Sequence, residues 1–337
     1  MHKLKYWAKI FGFVLGAILI FLSAIAIVFY FYADKSAKPA WGVNFATGQS
    51  RFLGFEPPVL MNKIVDELNP KYIRLTSYWE EIEPTQGEFD FSSIDQLLNI
   101  TDNSQSKVVL VVGHKQPRWP ECHHPDWWRD LSPDQQTEAL HNMIEKSVEH
   151  YKDHPSIWAW QLENEPFFDF GEECGVITRQ EYKASAEIIR QIDSRPIIVT
   201  DSGEKSLWLT AAWAGADYFG ATMYRQVYHG KKEKYITYPL PAISYTIKTG
   251  MIKLLSPTNY GLGMELQAEP WFNGDPYSTP IEEQKALMNP EIFAQNVAYA
   301  KASGFSQHYF WGAEWWFWLD ARGDSSMLDA AKKVFAQ

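Results

Sequence analysis

Eight short apolar runs alternate along this chain with longer stretches of helical spacing, and that alternation restricts the fold more than any other feature. The runs lie at 41–45, 72–76, 108–113, 157–166, 196–200, 216–224, 260–266 and 307–311. Between and after them, 59–68, 93–100, 132–151, 179–192, 204–214, 243–255, 290–303 and 325–335 carry helix patterning. Short strands separated by helices predict parallel pairing in an α/β fold. Eight such units in roughly 300 residues match a (β/α)8 barrel. The long breaks, 115–131, 167–178, 226–240 and 267–289, all follow strands. Loops after strands form the face on which such barrels carry their sites.

The fourth run has the sequence IWAWQLENEP over 157–166. A strand apolar almost throughout is covered on both faces. This one delivers Asn164 and Glu165 to its C-terminal end, and Pro166 stops the pairing. A carboxyl group at the end of a buried strand is costly unless something uses it. A lone Asn-Glu-Pro is common in loops; its place at the end of the fourth of eight units gives it weight. Other polar groups collect at strand ends: Arg74 in the second, His114 and Lys115 after the third, Tyr224 after the sixth, Glu265 in the seventh and Trp311 in the eighth. Two carboxylates, Glu165 and Glu265, are therefore expected to face each other across one cleft. Such a pair suits glycosidic bond cleavage, with one protonated acid and one ionised nucleophile or base. Their surroundings must push the two pKa values apart. Arg74 beside a carboxylate keeps it ionised, Tyr224 supplies a hydrogen bond, and Asn164 is placed for a sugar hydroxyl. His114 reads equally well as a sugar contact or as an ordinary strand-end histidine.

Fifteen tryptophans are more than packing requires, and aromatic faces stack on ring-shaped ligands. Trp119, Trp127 and Trp128 follow the third strand and Trp315, Trp316 and Trp318 the eighth. They line a cleft or anchor loops. Glu314 beside Trp315 is a further candidate for a sugar hydroxyl. Glu121, Cys122, His123 and His124 are adjacent, and adjacent residues seldom converge on one ion, so no metal is expected. Cys122 and Cys174 follow different strands, and as a disulfide they would tie two loops at one end of the barrel.

Residues 10–33 carry no charge, and about 20 apolar residues span a bilayer. Lys3, Lys5 and Lys9 precede the segment, which favours the N-terminus inside. The expected division is a cytosolic stub at 1–9, a transmembrane signal anchor at 10–33, a linker at 34–39 and a catalytic barrel at 40–337 outside the cytoplasm. A cleaved signal peptide is the competing reading, against which stand the long apolar region and the lack of a clean cleavage site. The net charge is −10; without the three stub lysines the remainder holds 28 basic against 41 acidic residues. That surface repels nucleic acid.

The Asn164-Glu165-Pro166 signature resembles the acid/base motif of the retaining (β/α)8 glycoside hydrolases, the clan containing the family 5 cellulases and family 42 β-galactosidases. The stretch 73–95, IRLTSYWEEIEPTQGEFDFSSID, resembles that clan's second-strand region. The resemblance implies Glu165 as general acid/base and Glu265 as nucleophile. Asn164, Arg74 and Tyr224 would be their support and Trp311 a platform under the sugar. It implies an oligo- or polysaccharide substrate and no cofactor. The seventh strand, GMELQAEPW, departs from the cellulase pattern and offers Glu269 as a second candidate nucleophile. The cellulase His-x-Tyr near the sixth strand is replaced by TMYRQVY. Two other functions suit the same residues: a carbohydrate-binding pseudoenzyme, and a transglycosylase acting on a surface polysaccharide.

Overall fold

The structure, a computed structural model, describes residues 2–36, 38–172, 174–271 and 273–337. The expected stub, linker and two of the long loops extend over Met1, Ala37, Glu173 and Phe272, which lie outside the described residues.

Eight parallel strands close into a barrel. In chain order they are β1 (Ala40–Phe45), β2 (Tyr72–Leu75), β3 (Lys107–Val112), β4 (Ile157–Leu162), β5 (Ile197–Asp201) and β6 (Tyr218–Met223); an antiparallel hairpin of β7 (Gln226–His229) and β8 (Lys234–Thr237) intervenes before β9 (Asn259–Gln267) and β10 (Gln307–Trp311). The barrel runs β1 to β6 in sequence, then β9 and β10, and β10 closes on β1. Every expected strand is present, and the helices over 179–192, 243–255 and 290–303 have the bounds read from the sequence.

The side-chain period of two builds both layers of the core. In β3, Val108, Leu110 and Val112 pack outward against the helices, whereas Val109 packs inside the barrel with Ala159, Ile198, Leu262, Met264 and Tyr309. Arg74 is the register partner of Val109 and shares this interior. The hydrophobic plug fills the lower barrel, and polar groups fill the upper end.

Two expectations are corrected. The stretch 204–214 holds only one helical turn, Leu209–Ala212. Glu204 is drawn inward, where it accepts from the Tyr224 amide and the Tyr245 hydroxyl, and Trp208 takes φ +69°; neither is compatible with a helix there. The loop after β6 is structured as the β7–β8 hairpin, because Val227 and Tyr228 alternate against Ile236 and Tyr235 across a turn at Gly230. Helices Ile281–Leu287 and Ala313–Asp320 were likewise not read from the sequence.

Candidate active site

Arg74 is the hub. It is buried, and each of its three nitrogens faces a partner: Nε reaches Gln161 Oε1 at 2.7 Å, Nη1 reaches Glu265 Oε1 at 2.7 Å and Asn44 Oδ1 at 2.9 Å, and Nη2 reaches Asn164 Oδ1 at 2.7 Å. A buried guanidinium is tolerable only with this degree of pairing. Asn44 is itself fixed by Nδ2 donation to the Met264, Tyr309 and Phe310 carbonyls. One cation thus ties β1, β2, β4 and β9 together beneath the site.

Glu265 reaches the interior through a β-bulge. Ala221 pairs with Gly263 and Thr222 with Glu265, so Met264 has no partner on β6. Strict alternation from Leu262 and Met264, both inside, would point Glu265 outward. The extra residue turns it in and leaves Leu266 to pack outside, the re-aiming that bulges perform near functional sites. Its second oxygen accepts from the Tyr224 hydroxyl at 2.8 Å.

Glu165 stands just beyond β4 with φ +43°, and Glu163 has φ +58°. Non-glycine residues seldom adopt these values, and such strain persists where the surroundings enforce it. The enforcement is visible. The Glu163 carboxylate accepts from the His114 and Lys115 amides and occupies the space a Cβ on Gly113 would need. The Glu165 amide donates to Thr200 Oγ1 at 2.8 Å, and Lys115 Nζ donates to the Glu165 carbonyl at 3.1 Å. Among the described residues, the Glu165 carboxyl receives only the Thr222 hydroxyl, at 3.4 Å. Burial, and then the negative charges of Glu265, Glu121, Asp201 and Glu204, push its pKa well above the usual carboxylate range. The two glutamates therefore sit in contrasting surroundings: one faces a guanidinium and a phenol, the other faces carboxylates.

A third carboxyl belongs to the cluster and was missed from the sequence. Glu121 Oε2 accepts from Asn164 Nδ2 at 2.8 Å, and its pKa is pushed up to about 8 by burial and by Glu265. Its neighbours diverge. Cys122 is joined to Cys174, with Cα atoms 5.5 Å apart; His123 stacks on Tyr78 and meets Glu80; His124 stacks on Trp128. The disulfide is the signal that could have located Glu121, since it pulls the β3 loop against the β4 loop.

The expected site residues Glu165, Glu265, Arg74, Asn164 and Tyr224 converge. His114 does not join them. Its ring lies buried edge-on to Trp128, and burial and His124 lower its pKa to about 4. Trp311 lies under the Arg118 guanidinium at 4.2 Å. Arg118 also pairs with Glu269 and lies 3.6 Å from Glu314. Glu269 thus belongs to a separate ion cluster above Trp311, away from Arg74. Of the loop tryptophans, Trp127 and Trp128 anchor their loop through bonds to the Glu83 and Gln136 carbonyls. Trp315, Trp316 and Trp318 are core. Trp119 is exposed and meets Phe170, which touches Trp271, which touches Tyr224. This aromatic path leads from the rim to Glu265.

Residues 62–195 match the family model described as beta-galactosidase. The chain is 34% identical to endo-1,4-beta-xylanase A of Phanerodontia chrysosporium over 95 residues, which is 28% of this chain and 22% of that protein. It is 27% identical to beta-galactosidase BbgII of Bifidobacterium bifidum over 154 residues, 40% of this chain and 21% of that protein. The matches thus span about a fifth of the length of these curated relatives. Among solved structures, the beta-galactosidase of Halorubrum lacusprofundi superposes with a TM-score of 0.59 at 15% identity, covering 88% of this chain and 58% of that one. The GH5_18 protein of Streptomyces cattleya gives 0.58 at 12% identity, with 81% and 70% covered. At these identities the structural likeness is one of fold.

Proposed function

We propose that this chain, a barrel of the (β/α)8 glycoside hydrolase clan, is a membrane-anchored, extracytoplasmic retaining β-glycosidase that works by double displacement on an oligo- or polysaccharide without a cofactor. The observation that carries the reading is the contrast between the two glutamates. Glu265 is held by the Arg74 guanidinium and the Tyr224 hydroxyl; Glu165 is buried with its carboxyl among other carboxyls, which favours its protonated form. That is the division of labour a retaining pair needs.

In the first step Glu265 attacks the anomeric carbon while Glu165 gives its proton to the departing oxygen. The glycosyl group is then esterified to Glu265. In the second step Glu165, now a carboxylate, takes a proton from water, the water oxygen bonds to the anomeric carbon, and Glu265 is released. Asn164 bonds the hydroxyl next to the reacting carbon. Contacts that tighten only in the transition state accelerate the reaction. Glu269 is the weaker candidate nucleophile, because it pairs with Arg118, which also faces Glu314, and not with Arg74.

Anchoring rests on Lys9–Tyr32, one helix long and apolar enough to span a bilayer. A signal sequence passes the same test, and N-terminal sequencing of the mature protein separates the two. The activity is tested on the full-length chain in detergent with a panel of aryl β-glycosides. Turnover should be lost in Glu265→Gln and severely reduced in Glu165→Gln. Sugar binding without turnover by the native chain would favour the pseudoenzyme, and oligosaccharide products with an added acceptor would favour the transglycosylase.

A further inference from the structure

The N-terminal helix (His2–Tyr32) does not leave the barrel on the side from which the linker enters it. It packs along helix Ile243–Leu255. That helix runs opposite to the strands, starting near the catalytic end after the β7–β8 hairpin and ending at the far side, before β9. Asp34 pairs with Lys253 at 2.6 Å, near the far end. At the middle, a Cβ on Gly250 would collide with the Phe29 carbonyl, so glycine permits the close crossing. Ile25, Ala26, Phe29 and Tyr30 are partly buried and Ala33 is buried, while nearly all earlier described side chains are exposed. The two helices are thus parallel, both running from the catalytic end towards the far end. At about 1.5 Å per residue, the N-terminal helix passes the catalytic end of its partner near residue 22. The apolar residues before that point project beyond the catalytic rim, and a bilayer holding them lies on that side.

The hairpin gives independent support. It stands on the catalytic side and leads into helix Ile243–Leu255. Its turn exposes Lys231, Lys232 and Lys234 against a single Glu233, on a chain of net charge −10. A basic tip beside a membrane helix can bond the phosphate groups of a lipid headgroup layer. Tyr235 on the hairpin and Trp119 on the β3 loop are large exposed apolar groups on this same rim.

We propose that the cleft faces the bilayer and that the substrate is a β-linked saccharide carried on a lipid of the same membrane. The proposal rests on the anchored-glycosidase reading and narrows its substrate class. Substrate reaches the site by diffusion in the plane of the membrane, with the sugar rising to Glu165 and Glu265 past the aromatic rim.

Two measurements on the full-length chain in phosphatidylcholine–phosphatidylglycerol vesicles test it. A fluorophore on Lys232→Cys should be quenched by headgroup spin-labelled lipid, and one on Asn103→Cys, at the opposite end, should not. The reverse pattern overturns the orientation whether or not the enzyme turns over. Next, with a sugar that the chain releases from its aryl glycoside, a hexadecyl β-glycoside in the vesicle should be cleaved at least tenfold faster than the butyl analogue. Replacing the three hairpin lysines by Gln should reduce cleavage of the lipid glycoside several-fold and leave the aryl glycoside unaffected. Equal rates for the two alkyl glycosides overturn the lipid-substrate assignment. Absence of turnover on every glycoside, with the quenching pattern as expected, sinks the glycosidase reading and leaves the orientation standing.

Discussion

Arg74 Nη1 lies 2.7 Å from Glu265 Oε1, and both side chains are almost wholly out of water. The same guanidinium holds Asn164, next to Glu165 in sequence. One buried charge therefore holds both one glutamate and the segment carrying the other. Arg74→Met removes the cation and leaves Glu265 buried and unpaired. Breaking a buried pair on one side costs about 3–5 kcal/mol. Chemical denaturation should show a loss of that order, and kcat should fall at least a hundredfold. A variant as stable as the native chain would contradict the pairing described.

Glu165→Gln removes the donated proton but keeps the shape. General acid catalysis contributes about 10²–10⁴-fold, so glycosides with poor leaving groups should lose that factor. Dinitrophenyl glycosides, whose departure needs little protonation, should keep a nearly native first step, visible as a burst of phenolate before slow turnover. Equal losses on both substrates would place the acid elsewhere.

The alkaline limb of the pH–rate profile reports ionisation of Glu165. Glu121 is one of the charges that raise its pKa. Glu121→Gln removes that charge, the Glu165 pKa falls, and the limb should move to lower pH. A limb that moves to higher pH, or not at all, would remove Glu121 from the cluster.

Stability should also fall as pH rises from 6.5 to 8. Burial raises Glu121 and Glu163 to about 8 and Glu204 to about 7. Across this window the folded chain holds protons that the unfolded chain has released near pH 4.5. The stability they provide is present below that value and is lost as pH passes the folded pKa values. His114 and His308, lowered to about 4 and about 3, act in the opposite sense, but only below about 6.5. Differential scanning calorimetry from pH 6.5 to 8 checks the sign.

The Cys122–Cys174 link closes a loop of 52 residues. Chain-entropy arguments assign such a loop about 4 kcal/mol. The double Cys→Ser variant should lose about 2–4 kcal/mol by denaturant titration. It should also lose activity, since Glu121 adjoins Cys122 and holds Asn164.

Much of the barrel was legible because buried parallel strands are apolar throughout, as VVLVV in β3 shows. The strand ends were legible because Arg74, Asn164 and Glu165 are expensive to bury without a use. Glu265 was legible from its place near the end of the seventh strand, but the bulge at Met264 that turns it inward was not, since it breaks the period on which such reading depends. Glu121 was hidden among neighbours that suggested a metal, and only the distant Cys174 draws it to Asn164. His114 follows a strand as a site residue does, yet its ring packs on Trp128. The 204–214 stretch has helical spacing, but Glu204 bonds to Tyr224 after the adjacent strand and to Tyr245 on the helix Ile243–Leu255, and that outweighs local propensity.

The account stands or falls on Glu265 as the nucleophile paired with Glu165. The direct measurement is peptide mapping by mass spectrometry after treatment with 2-deoxy-2-fluoro-β-glycosyl fluorides of the sugars the chain hydrolyses. A covalent glycosyl adduct on Glu265 is predicted, with the β anomer formed first from native substrate. An adduct on Glu269, or turnover that yields the α anomer with no adduct, would contradict it.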